Sequence, residues 1–336
     1  TNPSGGVGTE WQNTTTGEIF ICTDATAGAN VWTSTGGRSG NIVPFHGYGT
    51  IAGFASGGPN SSAAIDKISF TSDGNATGHG DLYGAKNRSA GQSSSTHAYA
   101  SGGYYGPGPD PFDRIDKFAF SSNTTAADWA NLTVGRRTPS GSMSTTYGYS
   151  AGGNNTNGML NHIDKFPFAS QTNASDVGDL TGTRTHTHGH NSVTTGYCSA
   201  QNAPSGPTNV IDYFSFSSDG NASDWGDLSV GRYAGAGQSS ETHGFVSGGQ
   251  DPTNATNVID KFIFASAGNA TDHGDLAAVS KYSGGSSSST HGYDFGGSNS
   301  PYMNDILKFA FASNTTGSDI GNLRIDKQVP GGNNQY

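Results

Sequence analysis

The hexapeptide Ile-Asp-Lys-Phe-Pro-Phe at residues 163–168 decides the fold, because close variants of it recur along most of the chain. The six copies begin at Ile65, Ile115, Ile163, Ile211, Ile259 and Ile306. An Asp-Leu or Asn-Leu pair follows each copy at one offset and ends at Leu82, Leu132, Leu180, Leu228, Leu276 and Leu323. Two markers in the same register identify six tandem repeats of roughly 48 residues, a period typical of repeat architectures.

Each repeat predicts four β-strands. In the fifth copy they are expected at 234–239, 243–247, 258–264 and 272–276, with Gly- and Asn-rich turns between them. Phe262 and Phe264 alternate onto one face of their strand, and similar pairs in other copies predict that neighbouring sheets pack through aromatic rings. The strand before the hexapeptide ends in Gly-Gly in five copies, whereas the fourth reads Tyr-Cys-Ser-Ala-Gln at 197–201.

A strand closing in Gly-Gly, a variable loop, an aromatic strand and a fourth strand carrying Trp together resemble the kelch repeat over residues 38–327. The resemblance implies an all-β protein: a six-bladed β-propeller of four-stranded blades at 37–329 and a C-terminal tail at 330–336. Trp129 and Trp225 fit the kelch Trp position. The other copies have His79, Val177, His273 and Ile320 there. The repeats alone leave open which strand closes the ring.

Residues 1–36 form a separate predicted β segment that is too small to fold alone. The sequence GTEWQNTTTGEIFICTDATAGANVW at 8–32 resembles short hairpin modules in tail-fibre and appendage chains of tailed bacteriophages. That resemblance implies an extracellular protein on a virion surface. It also implies a homo-oligomer that contacts other fibre or virion subunits through residues 1–36.

The charge balance argues against two classes of partner. The chain has 16 Lys and Arg residues and a formal net charge of −10, so it offers no basic stripe for nucleic acid or an anionic membrane. Only 12% of residues are charged, and 14 Tyr, 17 Phe and 4 Trp recur at regular intervals. Aromatic residues at that density favour a folded, turn-rich chain over a disordered one.

One histidine cluster suggests a metal. His186, His188 and His190 follow at a spacing of two, which on a strand places all three imidazoles on one side. Two or three imidazoles on one side could bind a transition metal ion. The same pattern also fits structural or solvated histidines where blades meet, and no other cofactor is predicted.

A ligand site is expected where the repeats differ. The loop between the second and third strands varies in length, and it shares a face with the loop that leads to the next first strand. Loops carry function on a scaffold whose strands carry stability. The candidate ligand-binding residues are Tyr104, Tyr105, Asp110, Asn154, Asn155, Arg184, Arg232, Tyr233, Asp251, Tyr282 and Tyr302. Tyr rings with amide and carboxylate groups suit sugars.

These features predict an extracellular recognition or adhesion module, the part of a phage tail fibre or virion appendage that binds a cell-surface glycan or protein receptor. No catalytic residue is predicted, because no nucleophile motif is present. Two alternatives remain. One is a structural virion decoration protein, and the other is a polysaccharide-acting enzyme on the same scaffold, for which Asp110 and Asp251 are the carboxylates of interest.

Overall fold

The computed structural model describes residues 5–12, 19–26, 31–35, 48–58, 62–106, 111–298, 302–328 and 330–335. The chain divides into two compact units, Thr1–Phe45 and His46–Tyr336. Its described secondary structure consists of β-strands, and no helix among the described residues is long and apolar enough to cross a membrane.

The first unit contains one three-stranded antiparallel sheet. Its strands are β1 (Glu10–Gln12), β2 (Ile19–Asp24) and β3 (Val31–Ser34), in that order. Trp11 pairs with Phe20 across β1 and β2, and the two ring centroids are 5.6 Å apart. The predicted boundary at residue 36 falls in the stretch 36–47, which lies outside the described residues.

The second unit contains six antiparallel sheets with four main strands each. The first three sheets use β4 (Ala52–Gly58), β5 (Ser62–Ser69), β6 (Thr77–Asp81), β7 (Ala90–Ser93), β8 (His97–Ser101), β9 (Arg114–Ala119), β10 (Ala127–Asn131), β11 (Ser140–Met143), β12 (Tyr147–Ala151), β13 (Asn154–Asn155), β14 (Gly158–Pro167) and β15 (Ser175–Arg184). The others use β16 (His188–Asn191), β17 (Thr195–Ser199), β18 (Gln201–Ala203), β19 (Gly206–Thr208), β20 (Val210–Ser215), β21 (Ser223–Asp227), β22 (Ala236–Ser239), β23 (His243–Ser247), β24 (Val258–Ile263), β25 (Thr271–Asp275), β26 (Gly284–Ser287), β27 (His291–Phe295), β28 (Asp305–Ala310), β29 (Ser318–Asn322) and β30 (Gly331–Gln335).

Sheets 1 to 6 follow the repeats. Their main strands are β30-β4-β5-β6, β7-β8-β9-β10, β11-β12-β14-β15, β16-β17-β20-β21, β22-β23-β24-β25 and β26-β27-β28-β29. Sheet 3 carries the additional short strand β13, and β18 pairs with β19 in a small separate hairpin. The four strands predicted for the fifth repeat are therefore present in sheet 5, although its first strand begins at Ala236 rather than at residue 234.

The C-terminal segment is not a tail, which corrects the expectation for residues 330–336. Gly331–Gln335 forms β30, which pairs with β4 from Gly331↔Ser56 to Gln335↔Ala52. The last strand of the chain thereby becomes the first strand of sheet 1. The repeat pattern did not reveal this, because β30 carries no hexapeptide marker and its partner strand lies almost 280 residues earlier (331 − 52 = 279).

We call β7, β11, β16, β22, β26 and β30 the ring strands, because each contacts the next and the last contacts the first. Each ring strand has glycine at its second position, and we call these residues the glycine ring: Gly91, Gly141, Gly189, Gly237, Gly285 and Gly332. A Cβ on any of them would overlap the carbonyl oxygen of the glycine in the preceding ring strand. The cycle includes the contact of Gly332 with Gly285 and of Gly91 with Gly332, so it has no open end.

Aromatic rings join neighbouring sheets in a second closed cycle. A ring on the second strand of one sheet stacks on the last Phe of the next hexapeptide, at centroid distances of 4.5 to 5.3 Å. The pairs are Phe54–Phe120, Tyr99–Phe168, Tyr149–Phe216, Tyr197–Phe264, Phe245–Phe311 and Tyr293–Phe70. The predicted aromatic packing between sheets is confirmed, and the resulting clusters form the core.

The structure explains why Trp and His can occupy the same position in different repeats. The side-chain N–H of Trp225 donates to the carbonyl oxygen of Ile263 in the next sheet at 3.0 Å. His79 and His273 reach the carbonyl oxygens of Ala119 and Ala310 at 2.8 and 3.0 Å in the same way. Indole and imidazole can both donate from a ring nitrogen, so His replaces Trp without loss of the hydrogen bond between sheets.

The hexapeptide aspartates form a set of buried ion pairs. Asp66, Asp116, Asp164 and Asp260 are fully buried, and each lies beside an Arg or Lys side chain. Sheet 6 departs from this pattern, because Leu307 replaces the aspartate and Ser280 replaces the cation. Its buried carboxylate is Asp294, which accepts hydrogen bonds from Ser247 and Ser280 at 2.8 and 2.9 Å. Burial raises the pKa of Asp294 to about 6.

The glycine ring predicts a steric sensitivity. Gly189→Ala should lower the free energy of unfolding by about 2 to 3 kcal/mol, because the added Cβ meets the Gly141 carbonyl oxygen. Urea unfolding followed by Trp fluorescence measures the change. The matched control is Gly268→Ala, since a Cβ at Gly268 has no atom within 4 Å. Equal unfolding midpoints for the two variants would contradict the steric role of the ring.

Asp294 predicts a pH-dependent stability. Its folded pKa of about 6 lies above the ordinary value of 3.8, so ionisation destabilises the folded state increasingly as the pH rises from about 4 to about 6. Asp294→Asn should therefore gain up to about 3 kcal/mol over the parent protein at pH 8 and almost nothing near pH 4. Asp73→Asn, which removes an exposed partner of Lys308, is the control and should change little. A difference in the free energy of unfolding between Asp294→Asn and the parent that stayed constant from pH 4 to pH 8 would contradict the raised pKa of Asp294.

Candidate functional site

Five residues with left-handed backbone surround one end of the ring strands. Each lies two residues before a ring strand and has φ between 52° and 59°, and we call them the mouth residues: Arg88, Thr138, His186, Ala234 and Tyr282. Backbone hydrogen bonds connect three of the neighbouring pairs: Thr138 N–H donates to the Arg88 carbonyl oxygen, Ala234 N–H to that of His186 and Tyr282 N–H to that of Ala234. Non-glycine residues in this conformation are strained, and such residues cluster at functional sites.

The loop between the second and third strands and the loop that leads to the ring strand meet at this mouth. In four repeats the residue just before the mouth residue forms a backbone bridge with the residue just after the Gly-Gly pair, which is Ala200-Gln201 in the fourth repeat. These bridges are Asn87↔Tyr104, Arg137↔Asn154, Thr185↔Asn202 and Tyr233↔Gln250. The predicted common face of the two loops is confirmed by these contacts, and it lies where the ring strands begin.

A narrow cavity lies next to the mouth. Its lining includes all six members of the glycine ring together with the mouth residues His186 and Tyr282. Its volume of about 70 Å³ holds a few water molecules but is well below the roughly 300 Å³ of a typical ligand pocket. A ligand larger than water would therefore bind over the mouth rather than inside the cavity.

One side of the mouth is aromatic. The His186 ring meets the rings of Tyr233 and Tyr282 edge-on, at centroid distances of 5.6 and 5.5 Å, and the two Tyr rings are 6.1 Å apart. Burial lowers the pKa of His186 to about 4, with a further contribution from the positive charges of Arg88 and Arg137. Burial raises the pKa of Tyr282 to about 12. His186 and Tyr282 are therefore uncharged at neutral pH, and the buried His186 Nδ1 has no hydrogen-bond partner among the described residues.

The other side of the mouth is cationic. The Arg137 guanidinium lies over the Tyr104 ring, 5.2 Å from its centroid. When the Asn154 amide oxygen faces Arg137, it accepts from both Nε and Nη2 at 3.3 Å. We favour that orientation because the Thr138 hydroxyl donates to the Arg137 carbonyl oxygen at 2.6 Å and so remains free to accept from the amide nitrogen. Arg88 lies close enough for its charge and that of Arg137 to repel each other.

Two predicted arginines have other surroundings. Arg232 is 1% exposed and pairs with Asp260 at 3.2 Å, so it belongs to the buried ion pairs, and its role in ligand binding stays a prediction. Arg184 is half-buried and donates to the Thr183 carbonyl oxygen. The fourth repeat explains the difference, because Gln201 replaces the second glycine and its amide reaches Asp212, the place that an arginine takes in sheets 3 and 5.

The remaining predicted ligand-binding residues are Asp251, Asn155, Asp110, Tyr105 and Tyr302. The Asp251 carboxylate accepts from the backbone N–H groups of Thr253 and Asn254, and these bonds lower its pKa. Asn155 likewise accepts from a backbone N–H within its own turn. Asp110 lies outside the described residues. Tyr105 is half-buried beside Tyr104, and Tyr302 is 41% exposed and close enough to act electrostatically on Arg88.

The three-histidine metal site is not formed in the described part of the chain. His186 precedes β16 with φ of 52°, so the three residues are not on one continuous strand. His190 is held by the Ser199 hydroxyl at 2.6 Å and the Gln238 carbonyl oxygen at 3.0 Å. His188 lines the narrow cavity, and burial lowers its pKa to about 3. No group of three or more His, Cys, Asp or Glu side chains among the described residues is arranged to hold a metal ion.

The sequence did not predict Arg88 as a site residue, because the first strand was expected to begin at this repeat position, which is residue 234 in the fifth copy. A signal was present, since the aligned mouth position reads Arg88, Thr138, His186, Ala234 and Tyr282, a different residue type in each of five repeats. The position three residues later is glycine in every repeat. A variable position so close to an invariant one marks the boundary between scaffold and binding surface.

The buried ion pairs predict a stability role for Arg232. Arg232→Met should lower the free energy of unfolding by about 3 to 5 kcal/mol, because it leaves the fully buried Asp260 carboxylate without its cation. Chemical denaturation measures the loss. Arg184→Met removes the same charge from a half-buried side chain and should cost clearly less. An Arg232→Met protein as stable as the Arg184→Met protein would contradict this assignment.

The described geometry therefore presents one site at which residues of several repeats converge: the mouth, with an aromatic and a cationic side. No known family model matches this chain, and no curated protein matches it.

Proposed function

We propose that this chain is a recognition module that binds a saccharide at the mouth of a six-bladed, kelch-like β-propeller. Support for the propeller comes from the closed cycles of glycine and aromatic contacts and from β30, which joins the two ends of the second unit. In this arrangement the six sheets are the blades and the ring strands line the central channel.

One observation carries the binding proposal: the half-buried Tyr233 and Tyr282 lie beside His186, whose buried Nδ1 has no partner. Sugar rings have apolar faces that pack on aromatic rings and hydroxyl groups that bond to fixed polar atoms. The mouth offers both within one cluster. Left-handed backbone holds His186 and Tyr282 in place, so binding requires little ordering of the site.

The biological setting follows from the N-terminal unit. We propose that the chain is the receptor-binding part of a phage tail fibre or virion appendage, exposed outside the cell and attached to other subunits through residues 1–36. Trp11 of that unit is 51% exposed and Val31 is also 51% exposed, so apolar surface is available for such a contact. Oligomerisation would multiply weak saccharide sites into useful avidity.

The aromatic side of the mouth predicts the outcome of a binding test. Tyr282→Ala should weaken binding to a saccharide found on an array of bacterial surface polysaccharides by about tenfold, because it removes a stacking surface worth about 1.4 kcal/mol. Tyr147→Ala is the control, since Tyr147 is an exposed tyrosine that lies at the opposite end of the strands. Affinity is measured by calorimetry after an array screen.

The same experiment separates the proposal from its rivals. Equal loss in Tyr147→Ala and Tyr282→Ala would place the site elsewhere. Failure of the parent protein to bind any saccharide would remove the proposal in favour of a structural decoration role. Shortening of a bound polysaccharide during incubation would favour an enzyme.

A further inference from the structure

The mouth contains two arginines that lack the counter-ions found elsewhere in the chain. Arg114, Arg136, Arg232 and Arg324 each pair with a buried aspartate at 2.6 to 3.2 Å. Among the described residues, Arg88 and Arg137 form no such pair with a carboxylate. In a protein of net charge −10, two neighbouring guanidinium groups without an acid are a specific departure.

Arg137 is held in place without its charge being neutralised. The Tyr104 ring packs against the Arg137 guanidinium, and the Asn154 amide oxygen accepts hydrogen bonds from its Nε and Nη2. Neither partner is an anion. Arg88 is half-buried, and its Nε is shielded from solvent without a hydrogen-bond partner.

The groups around Arg88 are complementary to an anion. Tyr104, Tyr282 and Tyr302 lie near Arg88, and a tyrosine hydroxyl group can donate a hydrogen bond to an anion. His186 is uncharged and can donate from whichever ring nitrogen carries the proton. An anion at this point would reduce the repulsion between Arg88 and Arg137. Arginine suits this role because its planar fork can bind a carboxylate with two parallel hydrogen bonds.

We propose that the mouth selects acidic saccharides, with the sugar carboxylate bound between Arg88 and Arg137 and the sugar ring packed on Tyr282 and Tyr233. This inference rests on the proposed saccharide-binding function and adds the ligand class. The aromatic side supplies contact area common to many sugars, whereas the two arginines distinguish charged sugars from neutral ones.

The test uses oligogalacturonate and its fully methyl-esterified form, which share a backbone and differ in charge. Calorimetry with the full chain should give at least about tenfold tighter binding of the acid form, and rising salt should weaken that binding. Arg88→Gln and Arg137→Gln should each lose about tenfold or more toward the acid and little toward the ester. Arg88→Lys, which keeps the charge but loses the fork, should fall between Arg88→Gln and the parent.

Controls separate binding from folding. Lys261→Gln removes one positive charge from β24, at a distance from the mouth, and should bind the acid as the parent does. Unchanged melting temperatures for Arg88→Gln and Arg137→Gln show that loss of binding is not loss of fold, as expected for residues outside the buried ion pairs.

Each outcome has a distinct meaning. Equal affinity for acid and ester, with no effect of the arginine variants, would overturn the acidic-saccharide inference and leave saccharide binding intact. Competition by inorganic phosphate as strong as that by free galacturonate would show recognition of charge alone and overturn the carboxylate assignment. No binding of any saccharide would remove the proposed function itself.

Discussion

The contact on which the rest of the second unit depends is the approach of six backbones at the glycine ring. A ring strand can lie against the next only if the second residue has no side chain, since a Cβ there would occupy the position of a neighbouring carbonyl oxygen. This steric condition allows the six ring strands to contact one another in succession, the last with the first. Once they are in contact, the aromatic pairs, the Trp or His donors and the ion pairs all fall between neighbouring sheets.

The same geometry explains why polar side chains are buried at the centre of a protein with few charges. Gln92, His190 and Gln238 each hydrogen-bond both to the second strand of their own sheet and to a neighbouring sheet. Asn333 donates to two carbonyl oxygens of the neighbouring sheet 2. A buried polar group is stable when its partners are fixed, and here the repeat itself fixes them. The histidines that suggested a metal belong partly to this network. Their chemistry is structural at His190 and differs at His186, where the strand has not yet begun.

The candidate site arises where the constraint ends. Two residues before five of the six ring strands, β7, β11, β16, β22 and β26, the backbone turns into the left-handed region, and the side chain is no longer dictated by the ring. That position is Arg88 in one repeat and Tyr282 in another, whereas the residue three positions later is always glycine. The result is a surface with one position per repeat free to vary on a rigid base, which suits recognition of a ligand with several different groups.

The sequence by itself determined the number of repeats, the four strands in each, the aromatic face and the face on which the variable loops meet, because these depend on local periodicity and repeat register. Tertiary structure alone decided three matters. It showed that β30 completes sheet 1, that Arg136 is buried against Asp164 while the adjacent Arg137 lies at the mouth, and that Arg88 approaches the tyrosines of other repeats. These outcomes depend on contacts between segments far apart in the chain, and such contacts leave no periodic trace in the sequence.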